Sequence, residues 1–141
     1  MPLLFPKKVK YRKQQTKRRN PKHVRNASRG TSLFFGSFGL KTLTHARITS
    51  NQIEAARKVI SRKAGKTAKT WIRIFPDRPF TEKGAEVPMG KGKGDVQGYE
   101  VEVNPGRVLF EVDGVSDKIA IEALKHAAYK LPVKAKVVSR S

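Results

Sequence analysis

Residues 89–94 read Met-Gly-Lys-Gly-Lys-Gly, and lysines spaced by glycines are typical of loops that bind phosphate. A Walker loop would need a glycine at position 85 and a hydroxyl residue at 92, where the chain has Ala85 and Gly92. A dinucleotide fingerprint fails because Asp95 stands where its third glycine belongs. The pattern favours a flexible loop whose backbone approaches nucleic-acid phosphates, with a solvated loop as the alternative. The candidate binding residues here are Met89, Gly90, Lys91, Gly92, Lys93 and Gly94.

The remaining reactive side chains do not form a catalytic pattern. His23, His45 and His126 have no metal-ligand spacing, and Glu100 and Glu102 are best interpreted as a solvated strand face. The chain has no cysteine, which excludes disulfides, zinc–cysteine sites and thiol catalysis. No serine has a recognisable nucleophile context. We therefore expect no enzymatic activity, no metal, no cofactor and no small-molecule substrate.

The charge is high and unevenly distributed. The 141 residues include 31 Lys or Arg and 11 Asp or Glu, a net charge of +20. The first 48 residues hold 13 of these bases and no acid, since Glu54 is the first acidic residue. Such a charge predicts a large anionic partner, most often a nucleic acid and less often an anionic membrane. No apolar run approaches the roughly 20 residues that span a bilayer, so we expect an intracellular protein without membrane contact.

Residues 1–30 are predicted to form a basic extended arm. Residues 6–30 hold 11 bases and too few apolar side chains to offset the entropy of ordering. Bound to a polyanion, the arm would be fixed as its bases neutralise phosphates, and Tyr11 among them is a candidate for stacking on a base. The alternative is a solubilising tail. The candidate residues of the arm are Lys7, Lys8, Lys10, Tyr11, Arg12, Lys13, Lys17, Arg18 and Arg19.

Residues 31–141 are predicted to form a single domain that begins with an extended piece and a helix. Residues 31–43 favour a short strand, with Phe34, Phe35 and Phe38 competing for the core. Helix 50–64 is indicated by a capping box at Thr49 and Gln52, by one apolar stripe, and by a stop at Gly65. Its outer face is basic and carries the candidate nucleic-acid-binding residues Arg57, Lys58, Arg62 and Lys63.

The second half of this domain alternates strands, turns and one more helix. The pattern predicts a strand at 69–75 and a hairpin of two strands, 99–103 and 107–113, around Pro105-Gly106. It also predicts a second helix after Ser116 that Pro132 ends, and a last strand at 133–138. Trp71, Phe75 and Phe110 are expected in the core. The 22 residues from 76 to 97 are rich in proline and glycine, which predicts a long functional loop without regular structure. This region adds the candidates Arg73, Arg78, Phe80 (for base stacking) and Lys83.

The order of these elements favours an α+β fold. Two helices are expected to pack on one mixed, mostly antiparallel sheet, with the basic arm extending from the domain.

Seven blocks along the chain carry a resemblance to a known family. They begin with Lys10-Tyr11-Arg12-Lys13, Phe35-Gly36-Ser37-Phe38-Gly39-Leu40 and Ile48-Thr49-Ser50-Asn51-Gln52-Ile53-Glu54-Ala55-Ala56-Arg57. They continue with Trp71-Ile72-Arg73-Ile74-Phe75-Pro76-Asp77-Arg78-Pro79, Met89-Gly90-Lys91-Gly92-Lys93-Gly94, Pro105-Gly106-Arg107-Val108-Leu109-Phe110-Glu111 and Lys130-Leu131-Pro132-Val133-Lys134. In this order and spacing, the sequence resembles the bacterial large-subunit ribosomal protein sixteen family, the counterpart of the archaeal and eukaryotic protein ten-e.

The resemblance implies a fold, a function and partners. The fold would be an α/β hammerhead with a basic N-terminal extension. The protein would bind large-subunit ribosomal RNA (rRNA) beside the peptidyl transferase centre and the aminoacyl-tRNA passage. It would join late in subunit assembly, help to position tRNA, and contact neighbouring ribosomal proteins in the cytoplasm. Two alternatives from the residues alone are a generic basic nucleic-acid-binding or RNA-chaperone protein and a small phosphate-handling enzyme.

Overall fold

The computed structural model describes residues 4, 6–7, 25–82 and 95–140, without the side chains of 82, 95 and 96. This part of the chain contains seven strands and two helices. The strands are β1 Phe38–Thr42, β2 Ala46–Thr49, β3 Lys69–Ile72, β4 Arg78–Glu82, β5 Asp95–Val103, β6 Val108–Asp113 and β7 Ala135–Ser139. The helices are α1 Ser50–Ala64 and α2 Asp117–Ala128. The predicted α+β fold class is confirmed.

Helix α1 has the predicted bounds because its end signals are local. The Thr49 hydroxyl accepts a hydrogen bond from the Gln52 backbone N–H at 3.3 Å, and the Gln52 side chain accepts one from the Thr49 N–H at 2.9 Å. At the other end Gly65 adopts φ 85°, a left-handed conformation that favours glycine. The predicted apolar stripe is buried, with Ile53 and Ile60 fully enclosed.

Helix α2 packs against α1 and against the strands β1, β6 and β7. It begins after Ser116, as predicted, although the Ser116 side chain makes no capping hydrogen bond. Leu124 is fully buried, and Leu131 is buried just beyond the helix end. The apolar faces of both helices are therefore buried in the core.

The strands form two antiparallel sheets rather than one. The first has the order β3-β6-β1-β7 and the second β2-β5-β4. The predicted hairpin between residues 99–103 and 107–113 is wrong, because β5 and β6 lie in different sheets. The Pro105-Gly106 turn is stabilised by hydrogen bonds to residues far away in the sequence. Thr42 O accepts one from the Gly106 N–H at 2.8 Å, and Pro105 O accepts one from the Ala27 N–H at 2.8 Å. The turn thus passes the chain between sheets.

The prediction of no regular structure across 76–97 is also wrong at both ends of that range. Residues 78–82 form β4 and residues 95–97 begin β5, and these two strands pair with each other. Phe80 faces Gly98 in this pairing, and its ring would lie 2.9 Å from a Cβ placed on that glycine. The absence of a side chain at Gly98 therefore makes room for the ring, and residues 83–94 lie outside the described part.

The core contains part of the expected aromatic set. Phe110 is fully buried as predicted, but Phe75 is 46% exposed and Trp71 is only half-buried. In the first extended piece, Phe38 packs against the core, whereas Phe34 and Phe35 are 72% and 47% exposed. The prediction of a core position is thus wrong for Phe75, and of the three phenylalanines that compete for the core only Phe38 packs against it. The strand bounds also shift, since β3 ends at 72 and β7 spans 135–139.

Candidate nucleic-acid interface

The outer face of α1 is basic, as its sequence pattern predicts. Lys58, Arg62 and Lys63 are exposed, and Arg62 and Lys63 stand in the last turn. Arg57 is half-buried and is paired with Glu54, one turn earlier, through its Nε at 3.1 and 3.0 Å from the two carboxylate oxygens. The hydrogen bond from Arg57 lowers the pKa of Glu54, and that carboxylate raises the pKa of Arg57. This face therefore presents three exposed cations beside one that is already paired.

A groove joins this basic face to the end of α2. It is lined by Val59, Arg62, Lys63, His126, Tyr129 and Lys130. Tyr129 is 81% exposed, and its ring centroid lies 6.2 Å from that of His126. Sequence reasoning missed Tyr129 and Lys130. The available signal was a Tyr-Lys pair just beyond the last apolar position of the helix. Exposed aromatics beside cations are typical of surfaces that bind RNA.

The second sheet carries an ion-pair network on the face where Glu100 and Glu102 lie. Glu102 accepts hydrogen bonds from His45 at 3.0 Å and Arg78 at 3.2 Å, and Glu100 lies 3.9 Å from Arg47. Both carboxylates are half-buried. The interpretation as a merely solvated face is therefore wrong, since each carboxylate has a basic partner. The network orients the Arg78 guanidinium at the edge of β4.

Arg73 contacts the most enclosed carboxylate that the structure describes, Glu111 of β6. One Glu111 oxygen, Oε1, accepts the backbone N–H groups of Phe34, Phe35 and Gly36 at 2.8, 2.9 and 3.0 Å. The other oxygen, Oε2, binds the Arg73 guanidinium. Burial raises the pKa of Glu111, but these four donors together lower it below its ordinary value. Arg73 thus helps to fix the loop at 34–36.

The predicted RNA-binding residues are only partly within the described chain. Lys7 is described and exposed. The structure places Arg57, Lys58, Arg62 and Lys63 on α1, Arg73 beside Glu111, and Arg78 and Phe80 on β4. These residues belong to three different segments of the chain: α1, the residues just after β3, and β4. The following predicted residues lie outside the described part: Lys8, Lys10, Tyr11, Arg12, Lys13, Lys17, Arg18, Arg19, Lys83, Met89, Gly90, Lys91, Gly92, Lys93 and Gly94.

The described residues offer no metal site and no membrane span. Over 25–82 and 95–140, no three His, Asp or Glu side chains converge in a way that could hold a metal ion. Among the same residues, neither helix is long and apolar enough to cross a bilayer.

Comparison with known proteins identifies the class to which this basic α+β chain belongs. Three relatives named "Large ribosomal subunit protein uL16" match it along nearly its whole length. The one from Kosmotoga olearia is 51% identical over 138 residues, covering 98% of this chain and 95% of the relative. The one from Pseudothermotoga lettingae is 50% identical over 139 residues, with 99% and 95% covered. The one from Azobacteroides pseudotrichonymphae is 52% identical over 138 residues, with 98% and 94% covered.

The protein is thus a ribosomal protein of the large subunit. More particularly, the family model of ribosomal protein L16p/L10e matches residues 6–138, and the chain belongs to this family. The resemblance carried by the seven sequence blocks is confirmed. So are the location in the ribosome, the partnership with rRNA and other ribosomal proteins, and the structural rather than enzymatic role.

Proposed function

We infer that this protein binds large-subunit rRNA beside the peptidyl transferase centre and the aminoacyl-tRNA passage, where it supports late assembly and tRNA positioning. The observation that carries this proposal is the charge distribution of a member of this family. Residues 1–48 contain 13 bases and no acid, while α1 presents Lys58, Arg62 and Lys63 on one exposed face. A ribosomal protein with a basic N-terminal segment and a basic helix face is suited to hold separate RNA helices together, because its cations screen the repulsion between them.

The roles of the two basic surfaces differ. The face of α1 belongs to a folded domain, so its cations have fixed spacing and match one RNA helix. The arm of residues 1–30 is proposed to thread between RNA helices.

The segment 89–94 is proposed to reach toward the tRNA path. A triple variant in which Gly90, Gly92 and Gly94 are all replaced by valine tests this. Normal sedimentation with impaired tRNA binding is expected, and unimpaired tRNA binding would contradict it.

Sedimentation through a high-salt sucrose gradient tests the proposal as a whole. We expect the tagged protein to migrate with the large subunit at salt concentrations that strip loosely held basic proteins. Release into the light fractions at moderate salt would contradict a defined site. That result would favour a generic basic nucleic-acid-binding or RNA-chaperone protein, which binds by charge alone.

A matched pair of triple variants tests the face of α1. The test variant replaces Lys58, Arg62 and Lys63 with glutamine. The control replaces Lys118, Lys125 and Lys136 with glutamine, and these residues are also exposed but lie on α2 and β7. Removing one phosphate contact should lower the salt slope of rRNA binding by about 0.7–0.9, so the slope of the test variant should fall by about 2–3. Equal slopes for the two variants would contradict binding through α1.

A further inference from the structure

Three aromatic rings form a continuous surface beside the first sheet. Phe34 and Phe35 are 72% and 47% exposed, and their rings meet edge to face with centroids 5.0 Å apart. Phe35 stacks on Trp71 with centroids 5.8 Å apart and ring planes 14° from parallel. Exposed apolar surfaces of this kind mark interaction sites more often than scattered single side chains do. We call Phe34, Phe35 and Trp71 the aromatic platform.

The backbone beneath the platform is fixed by residues far away in the sequence. Glu111 accepts the N–H groups of residues 34, 35 and 36, as described above. The Phe34 carbonyl accepts a hydrogen bond from Arg140 Nη2 at 2.5 Å, and Gly36 is buried against the Val112 backbone. Rings held on such a fixed loop lose little further freedom when they bind a partner, which favours affinity.

Cations surround the platform. The Arg73 guanidinium lies 5.4 Å from the centroid of the Phe35 ring. Arg140 donates a hydrogen bond to the Phe34 carbonyl, and Lys69, two residues before Trp71 on β3, is paired with Asp113 of β6. Arg73 is neutralised by the fully buried Glu111, whereas Lys69 and Arg140 share the carboxylate of Asp113, so these three cations exceed the two carboxylates that face them. A basic rim around exposed rings is complementary to a nucleotide, whose base stacks and whose phosphates are anionic.

We propose that the aromatic platform binds an unpaired base of large-subunit rRNA by stacking. Phe34 provides the exposed ring, and Lys69 and Arg140 neutralise the phosphates on either side of the base. This inference rests on the proposed function, because it specifies one contact of the same rRNA partner. An apolar pocket of a neighbouring protein would cover the rings but would supply no anion for Lys69 and Arg140, which share the one carboxylate of Asp113.

Replacing Phe34 tests the stacking contact. The assay measures rebinding of the full chain to large subunits that high salt has stripped of this protein. Loss of one base–aromatic stack is worth about 1–3 kcal/mol, so Phe34→Ala should weaken rebinding about 5- to 150-fold. The salt slope should not change, because the cations that meet the phosphates are all retained. Ile119→Ala, which truncates a 41% exposed apolar side chain on α2, is the matched control and should rebind normally.

Two further variants separate stacking from burial of an apolar group. Phe34→Trp keeps a flat aromatic face and should rebind like the unaltered protein, whereas Phe34→Leu keeps apolar surface and should rebind like Phe34→Ala. Equal rebinding by the leucine and tryptophan variants would indicate a protein pocket and overturn the inference. Because Phe34 is largely exposed, all variants should unfold at the same urea concentration as the unaltered protein.

Chemical probing of backbone flexibility along the rRNA identifies the nucleotide. An unpaired nucleotide should become less reactive when the unaltered protein or Ile119→Ala rebinds, and should stay reactive with Phe34→Ala. Unchanged affinity and an unchanged pattern for Phe34→Ala would overturn the stacking site alone. Failure of the unaltered protein to rebind would overturn the proposed function and this inference with it.

Discussion

Glu111 is the most informative single residue for testing how the fold is held together. Its side chain is fully buried, yet it is charged and contacts four donors from two other segments of the chain. Replacement with glutamine keeps the shape and removes the charge. We expect Glu111→Gln to fold but to lose a large part of its stability, because the loop at 34–36 and the Arg73 guanidinium both depend on that charge.

The size of the loss follows from the bonds that change. Three charge-assisted hydrogen bonds to Oε1, each worth about 1.5–3 kcal/mol, become neutral ones worth about 0.5–1.5 kcal/mol. Arg73 also loses its counterion in a partly enclosed site, and breaking a buried ion pair typically costs about 3–5 kcal/mol. Because all these bonds share one carboxylate, the terms overlap, and we expect the free energy of unfolding to fall by about 3–5 kcal/mol in total.

Urea unfolding followed by tryptophan fluorescence measures this loss. Trp71 is the only tryptophan, and it faces Glu111 across the β3–β6 pairing. With a slope of about 2 kcal/mol/M, the midpoint should fall by about 1.5–2.5 M. Asp113→Asn is the control, because Asp113 lies on the same strand but makes exposed hydrogen bonds, and its midpoint should shift far less.

The lowered pKa of Glu111 also predicts how the free energy of unfolding depends on pH. The folded-state pKa of Glu111 lies below its ordinary 4.5, so its stabilising contribution is complete above that pH and is lost as the pH falls through the folded value. The unaltered protein should therefore lose stability on acidification below about pH 4.5 more steeply than Glu111→Gln. A midpoint shift under about 0.5 M, or parallel acid dependence in the two proteins, would refute the reasoning.

Two local features give further predictions. Thr49→Ala removes the capping hydrogen bond of α1 and should lower the free energy of unfolding by about 0.5–2 kcal/mol in thermal circular dichroism, whereas Thr49→Ser should retain most of it. Gly114 and Gly65 have φ of 86° and 85°, but only at Gly114 would a Cβ meet backbone, 2.8 Å from Thr67 O. Both alanine variants should lose about 1–3 kcal/mol from strain, and Gly114→Ala should lose more. Equal losses would show that the clash at Gly114 is relieved by movement of the neighbouring chain.

The helices could be predicted from sequence because their signals lie within a few residues. Thr49 and Gln52 define the start of α1, Gly65 defines its end, and a regular stripe defines its buried face. The pairing of strands could not be predicted in this way. Pro105-Gly106 does form a turn, but its hydrogen-bonding partners, Thr42 and Ala27, are more than 60 residues away in sequence. Alternation along a strand indicates which face is buried and does not indicate which strand lies beside it.

The candidate interface was predictable to a similar extent. The cations of α1 follow from helical periodicity, which places them off the apolar stripe. The exposure of Phe34 and Phe35 did not follow, because hydropathy alone assigns such residues to the core. Their position depends on Glu111, a charged residue among the buried positions of β6, and on Gly36, which is buried against Val112.

The bonds that fix the 34–36 loop also determine when it can form during protein synthesis. The Phe34 backbone is hydrogen-bonded to Glu111 and Arg140, which lie 77 and 106 positions later in the sequence. In the first sheet, β1 lies between β6 and β7, which are also later in the sequence. The basic arm therefore leaves the exit tunnel of the translating ribosome long before the aromatic platform can be completed. Only a chain that has been synthesised past Arg140 can present both surfaces together. Nascent chains that lack Arg140 would then lack the aromatic contact, and incorporation into new subunits would favour chains that include it.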